Sequence, residues 1–146
     1  MSKAEDAVNY FSGYNCAQSV LAAYAGDLKI SKNEALQIAV GFGGGMGRAQ
    51  EVCGAISGAI AVLGLASGFK EEDGREKINQ VYAQVHSLIK DFTAKEGTIL
   101  CRDLLKCDLL SEEGQKYFKE NKLKEKCFAY VRLCCELLDG YLAEKK

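Results

Sequence analysis

Residues Val40 to Ala66, VGFGGGMGRAQEVCGAISGAIAVLGLA, constrain the fold of this chain more than any other stretch. A glycine-dense turn, Gly41 to Gly47, feeds an apolar helical stretch with Cys53 at its start. Glycine enters left-handed backbone without steric cost, so the turn is built to bend. In the helix that follows, Gly54, Gly58 and Ala61, with Ala55 and Ala59 beside them, put small residues on adjoining faces, because positions three and four apart share a side. Such a helix admits another backbone, or a flat cofactor, at short range. The apolar run from Val52 to Ala66, about 15 residues, is shorter than the roughly 20 a membrane span needs. It fits a buried core helix.

The rest reads as one helix after another. Lys3 to Phe11 carries Ala4, Ala7, Val8 and Phe11 on one face, with Gly13 ending it. Asn15 is placed to cap a second helix, Cys16 to Tyr24, closed by Gly26. Ser31 and Glu34 have capping-box spacing for a third, Ser31 to Val40. The fourth is expected from about Ala49 to Ser67, with Gly68 as its C-cap. Asp73 and Glu76 repeat the capping-box spacing ahead of a long helix, Gly74 to Lys95. Its stripe is Ile78, Val81, Tyr82, Val85, Leu88, Ile89 and Phe92, and Gly97 ends it. Thr98 to Leu105 reads as a short helical turn containing Cys101. Ser111 caps a brief helix to Phe118, and the last helix runs from Lys122 to about Lys145. Tyr82, Phe92, Tyr117, Tyr130 and Tyr141 recur at helical positions and are expected in the core. With no proline in 146 residues and no β-type alternation, the expected fold is all-α. It is a single-domain bundle over residues 1–146, with five or more helices and a glycine-rich interhelical turn.

A net charge of −1 gives no broad attraction to nucleic acid or anionic lipid, so neither is expected as a partner. The N-terminus, MSKAEDAVNY, lacks the apolar core and cleavage pattern of a secretion signal. The expectation is a cytoplasmic chain without direct membrane insertion, a setting in which structural disulfides are rare. Seven cysteines are then many: Cys16, Cys53, Cys101, Cys107, Cys127, Cys134 and Cys135. There is no Cys-x-x-Cys, which removes the thioredoxin-type dithiol and the usual zinc knuckle. The c-type haem motif and the ferredoxin run are absent too. Any shared site must be assembled from distant segments. Cys16, Cys53 and Cys101 stand near predicted helix starts, where free N–H groups and the helix dipole favour a thiolate. Cys134 and Cys135 sit in the apolar run VRLCCELL, where packing explains them better, and Cys107 reads as accessory. His86 is the sole histidine and is expected at the surface or its boundary.

Asn15-Cys16-Ala17-Gln18, the turn Gly41 to Gly47, and Glu51-Val52-Cys53-Gly54-Ala55-Ile56-Ser57-Gly58 together resemble the hallmark of the C_GCAxxG_C_C family. Its members are small bacterial and archaeal proteins described as redox-active by proposal. The resemblance continues at Ile99-Leu100-Cys101-Arg102-Asp103-Leu104-Leu105, ends at Lys126-Cys127 with Tyr130-Val131 after it, and covers nearly the whole chain. It aligns the family's four characteristic cysteines with Cys16, Cys53, Cys101 and Cys127. Cys107, Cys134 and Cys135 are extras. Proline commonly follows the last family cysteine; Phe128 stands there in this chain. The resemblance implies redox activity without assigning a reaction or a partner, so whether the chain is an enzyme stays open.

Four thiolates suit tetrahedral zinc or an iron–sulfur centre. The leading expectation is therefore a metal or cluster held by Cys16, Cys53, Cys101 and Cys127, with nearby glycines letting backbone N–H groups reach cluster sulfurs. In the alternative, two cysteines cycle between dithiol and disulfide without metal, Cys16 and Cys53 first because both begin helices, and a redox partner protein completes the cycle. A third reading is a helical binding protein whose cysteines are only buried. Gly43, Gly44, Gly45, Arg48, Gly54 and Gly58 are the candidate cofactor-binding residues. A glycine turn entering a helix can hold an anion, with Arg48 assisting. GFGGGMG lacks the Walker lysine, its serine or threonine, and a preceding strand, which favours a structural bend. Glu51, Arg102 and Asp103 are polar candidates beside the site. The small-residue face of the fourth helix is also a candidate homodimer seam.

Overall fold

The computed structural model describes residues 2–144. Eight right-handed α-helices run through them in order: α1 (Lys3–Tyr10), α2 (Cys16–Tyr24), α3 (Lys32–Ala39), α4 (Gly54–Ser67), α5 (Arg75–Glu96), α6 (Cys101–Leu105), α7 (Glu112–Glu120) and α8 (Lys124–Glu144). A short 3-10 turn, Val40–Phe42, leads from α3 into the glycine segment Gly43–Met46. That segment closes helix-like hydrogen bonds, but Gly44 and Gly45 have φ of +64° and +69°, so it is a left-handed turn rather than a ninth helix. The chain is an all-α bundle with a glycine-rich loop, as its composition implies.

Local chemistry sets most helix starts. Ser31 and Glu34 form both halves of a capping box, each backbone N–H donating to the other's side chain at 3.0 Å. Asn15 and Gln18 do the same at 2.9 and 3.1 Å. Ser111 accepts from the Gly114 N–H at 2.9 Å. Gly68 and Gly97 end α4 and α5 in left-handed backbone. Asp73 departs from expectation: its carboxylate accepts from the Lys70 N–H at 2.8 Å, closing the preceding turn, and Gly74 caps α5 without a side chain. The C-caps of α1 and α2 are Phe11 and Ala25, two residues and one residue before the expected glycines. The expected end of the last helix at Lys145 lies outside the described residues.

The largest difference is at α4, which begins at Gly54 and not at Ala49. Residues 50–53 lie antiparallel to residues 99–102 instead. Cys53 N–H donates to the Ile99 carbonyl at 2.8 Å and Cys101 N–H to the Glu51 carbonyl at 2.7 Å, around a single bridge between Val52 and Leu100. This pairing brings Cys53 beside Cys101, across 48 positions of sequence.

Helix α2 runs through the centre of the core. Ala17, Val20 and Leu21 are fully buried, and Tyr24 nearly so. Helix α4 lies on α2 so closely that a Cβ at Gly58 would come within 2.6 Å of the Ala17 carbonyl oxygen. The small-residue face of α4 is thus occupied within the chain by α2. Leu88 and Phe92 of α5 and Val131, Cys134, Cys135 and Leu138 of α8 complete the core, all fully buried. Each large apolar side chain enclosed there contributes about 1.5–3 kcal/mol. Tyr130 packs against Phe92 with ring centroids 5.8 Å apart. Tyr82 and Tyr117, expected inside, stand on outward flanks of their helices, 62% and 47% exposed. Among the described residues no helix is long and apolar enough to cross a membrane.

Candidate thiol site

The four cysteines that match the family pattern line one cavity of about 1290 Å³. Each stands at or near the start of a helix: Cys16 is the first residue of α2, Cys53 the N-cap of α4, Cys101 the first residue of α6, and Cys127 lies in the opening turn of α8. Gly43, Gly44, Gly45, Arg48 and Gly54 also line the cavity. Gly58 lies away from it, against Ala17. Cys134 and Cys135 are fully buried in the core. Cys107 is half-buried in the connection after α6, and His86 is exposed.

Three glycines set the distances in this site. A Cβ at Gly54 would overlap the Cys16 sulfur and sit 3.0 Å from the Phe42 carbonyl. A Cβ at Gly45 would meet the Cys101 Cβ at 2.8 Å and the Gln50 Cα at 2.7 Å. Gly43 lies flush against the Asn15 side chain, whose amide donates to the Val40 carbonyl at 2.9 Å and ties the start of α2 to the turn.

The turn itself is left-handed over five consecutive residues: Gly44, Gly45, Met46, Gly47 and Arg48 have φ of 64°, 69°, 70°, 58° and 65°. Gln50 follows at 57°. Glycine tolerates this; Met46, Arg48 and Gln50 do so at about 1–2 kcal/mol each. Gln50 is held by its surroundings. Its buried side chain donates to the Cys107 carbonyl at 2.7 Å and accepts from the Leu109 N–H at 2.9 Å. Its carbonyl accepts from the Arg102 Nε at 3.1 Å, and Arg102 also pairs with Glu51. Sequence reasoning missed Gln50 entirely; nothing in its local pattern marks it.

Electrostatically the thiols are held neutral. Burial pushes Cys101 up to about 11 and Cys127 up to about 12, with the nearby Cys16 thiol adding to each. Burial and then Cys16 push Cys53 up further still. Cys16 is raised by burial as well, but the backbone N–H groups of Gly44, Ala17, Cys16 and Ala55 pull the other way. The Ala55 N–H also favours the thiolate at Cys53. The start of α4 thus bears on two thiols, Cys53 as its N-cap and Cys16 packed against Gly54.

The ligand-set expectation fails on this geometry. Among the described residues, no group of three or more Cys, His, Asp or Glu side chains is placed to hold a metal ion. A tetrahedral thiolate shell needs sulfurs converging on one point at about 2.3 Å. Here Cys16, Cys53, Cys101 and Cys127 line a broad cavity without converging in that way. Zinc or an iron–sulfur cluster on these four is corrected accordingly. All seven cysteines are free thiols.

Residues 14–141 match the family described as "Putative redox-active protein (C_GCAxxG_C_C)". The chain belongs to the C_GCAxxG_C_C family. An uncharacterized protein of Archaeoglobus fulgidus is 31% identical over 140 residues, covering 90% of this chain and 87% of its own. No solved structure matches. The departure from the common C_GCAxxG_C_C pattern, Phe128 after the last family cysteine, has a packing role: its ring meets Phe11 edge-on, centroids 4.9 Å apart, at the cavity wall.

Proposed function

We propose that this C_GCAxxG_C_C protein is a metal-free thiol–disulfide redox protein in which Cys16 and Cys53 cycle between dithiol and disulfide. The observation that carries the reading is the Cys16 sulfur packed directly against Gly54, the residue that follows Cys53, on the wall of a cavity large enough to admit a reagent. Two thiols suffice for exchange, whereas a metal site needs a third and fourth. Cys16, half-buried and faced by several backbone N–H groups, is the attacking thiol; Cys53, buried, is the resolving one. Burial keeps the resting pair protonated and guards it against the oxidation that exposed thiolates undergo. Cys134 and Cys135 serve packing, since both are fully enclosed. Seven free thiols suit a cytoplasmic setting, and a dithiol protein is the partner class that returns the pair to its reduced form.

The test is reduction of a chromogenic disulfide by metal-free protein, with excess dithiol supplied as the reductant that restores the pair and the rate read above that of the dithiol alone. Cys16→Ser and Cys53→Ser each abolish multiple turnover, while Cys107→Ser retains it. Wild-type turnover by both Cys16→Ser and Cys53→Ser would overturn the assignment.

A further inference from the structure

We infer that the cavity over Cys16 and Cys53 takes a low-molecular-weight disulfide carrying carboxylates; this rests on the thiol–disulfide reading above and names its substrate class. The cavity wall is cationic. Arg48 enters from the left-handed turn, Lys116 and Lys119 from α7, Lys122 from the connection to α8, and Lys124 from the start of α8. Glu125 is the one carboxylate among the lining residues. Lys116 pairs with Glu120 at 3.8 Å, but Arg48, Lys119, Lys122 and Lys124 form no ion pair among the described residues. The chain as a whole carries −1, so this positive field is local to the cavity. Lys124 is placed over the Phe11 and Phe128 rings, 5.5 and 6.0 Å from their centroids, which keeps its ammonium at the rim. At Gly44 a Cβ would come within 2.9 Å of the Arg48 Cγ, so the glycine makes room for the arginine stem.

Size and depth select a small molecule. Ligand cavities commonly enclose roughly 300–1,000 Å³, and this one is larger, about 1290 Å³. Cys53 and Cys101 are only 6% and 7% exposed. Cys16, which attacks first, is half-buried on the same wall, so a reagent small enough to enter the cavity is held against both members of the pair. Carboxylates at the cationic rim and a sulfur–sulfur bond over the thiols match the two ends of the cavity.

In the reaction the Cys16 thiolate attacks one sulfur of the substrate, RS–SR. The S–S bond breaks, one RS⁻ leaves, and Cys16 is left in a mixed disulfide. The Cys53 thiolate then attacks the Cys16 sulfur and the second RS⁻ leaves. The protein loses two electrons to the substrate, and its two thiol protons pass to the two departing thiolates.

The experiment compares three disulfides reacting with the reduced full-length protein: oxidised glutathione (anionic), bis(2-hydroxyethyl) disulfide (neutral) and cystamine (dicationic). At low salt the anionic reagent reacts at least about tenfold faster than the dicationic one, and the gap narrows in about 0.5 M salt. Lys119→Gln combined with Lys122→Gln narrows it too, while Lys90→Gln on α5 leaves it unchanged. Equal rates for the three reagents, or a gap untouched by the Lys119 and Lys122 substitutions, would overturn the anion site and leave the dithiol reading standing. Failure of all three to form an intrachain disulfide would overturn both.

Discussion

Gly54 stands directly against the Cys16 sulfur, so that any side chain at 54 would occupy the space the thiol fills. The same glycine begins α4, so its bareness lets the amide end of one helix approach the thiol at the start of another. Gly54→Ala is expected to destabilise the protein by about 1–3 kcal/mol through overpacking and to alter the alkylation rate of Cys16. Gly58→Ala intrudes on the Ala17 carbonyl instead and is expected to cost a similar amount while leaving Cys16 reactivity unchanged in the folded protein. Urea unfolding and thiol alkylation read the two effects. A Gly54→Ala variant with wild-type stability and wild-type Cys16 reactivity would contradict the close approach.

The left-handed turn stores strain at Met46. Its φ is +70°, and the residue is one of the exposed large apolar ones, at 42%. Met46→Gly is expected to raise stability by about 1 kcal/mol, the relief of left-handed backbone in a non-glycine residue set against the entropy of an added glycine. Thermal melting checks this; a lowered midpoint would mean that the methionine side chain holds the turn.

Much of this fold is legible in the sequence because its helix boundaries are written in local chemistry. Ser31 with Glu34, Asn15 before Cys16, and glycines at 68 and 97 all act within a few residues, and all are found where the pattern puts them. The errors come from distance. Gln50 to Val52 have no local reason to leave the helix; they do so because residues 99–102 pair with them. Asp73 looks like a cap because spacing cannot reveal that the Lys70 N–H claims its carboxylate. The same limit governs the site. The family resemblance picks out Cys16, Cys53, Cys101 and Cys127, and they do line one cavity. Spacing along the chain carries no information on whether four sulfurs meet at a point, and among the described residues no three ligand groups do.

Gln50 is the residue that joins the turn to the α6–α7 connection. Gln50→Leu keeps the volume but removes both side-chain hydrogen bonds, leaving the Cys107 carbonyl and Leu109 N–H without those partners. The expected loss is about 2 kcal/mol, accompanied by faster alkylation of Cys101 as the connection loosens. Unchanged Cys101 reactivity would show that the glutamine does not govern access to the site.

Stability should depend on pH in one direction. Cys101 and Cys127 titrate near 9.0 when unfolded, but burial raises them to about 11 and about 12 in the native protein. Between those values the unfolded chain releases protons that the native state still holds. Stability from these groups is therefore full below about pH 9 and falls as pH rises toward 11–12. Urea midpoints at pH 7, 8, 9 and 10.5 are expected to be level across the first two and to drop by the last. A midpoint that holds to pH 10.5 would contradict the burial of these thiols.

The central claim is that Cys16 and Cys53 form the redox pair. The measurement that tests it most directly is mass-spectrometric mapping of linked peptides after the reduced protein is equilibrated in a graded thiol–disulfide buffer. The expected product is an intrachain bond between Cys16 and Cys53, formed reversibly and with a single two-electron midpoint. A bond between Cys101 and Cys127 in its place, or no reproducible intrachain disulfide at any potential, would contradict the account.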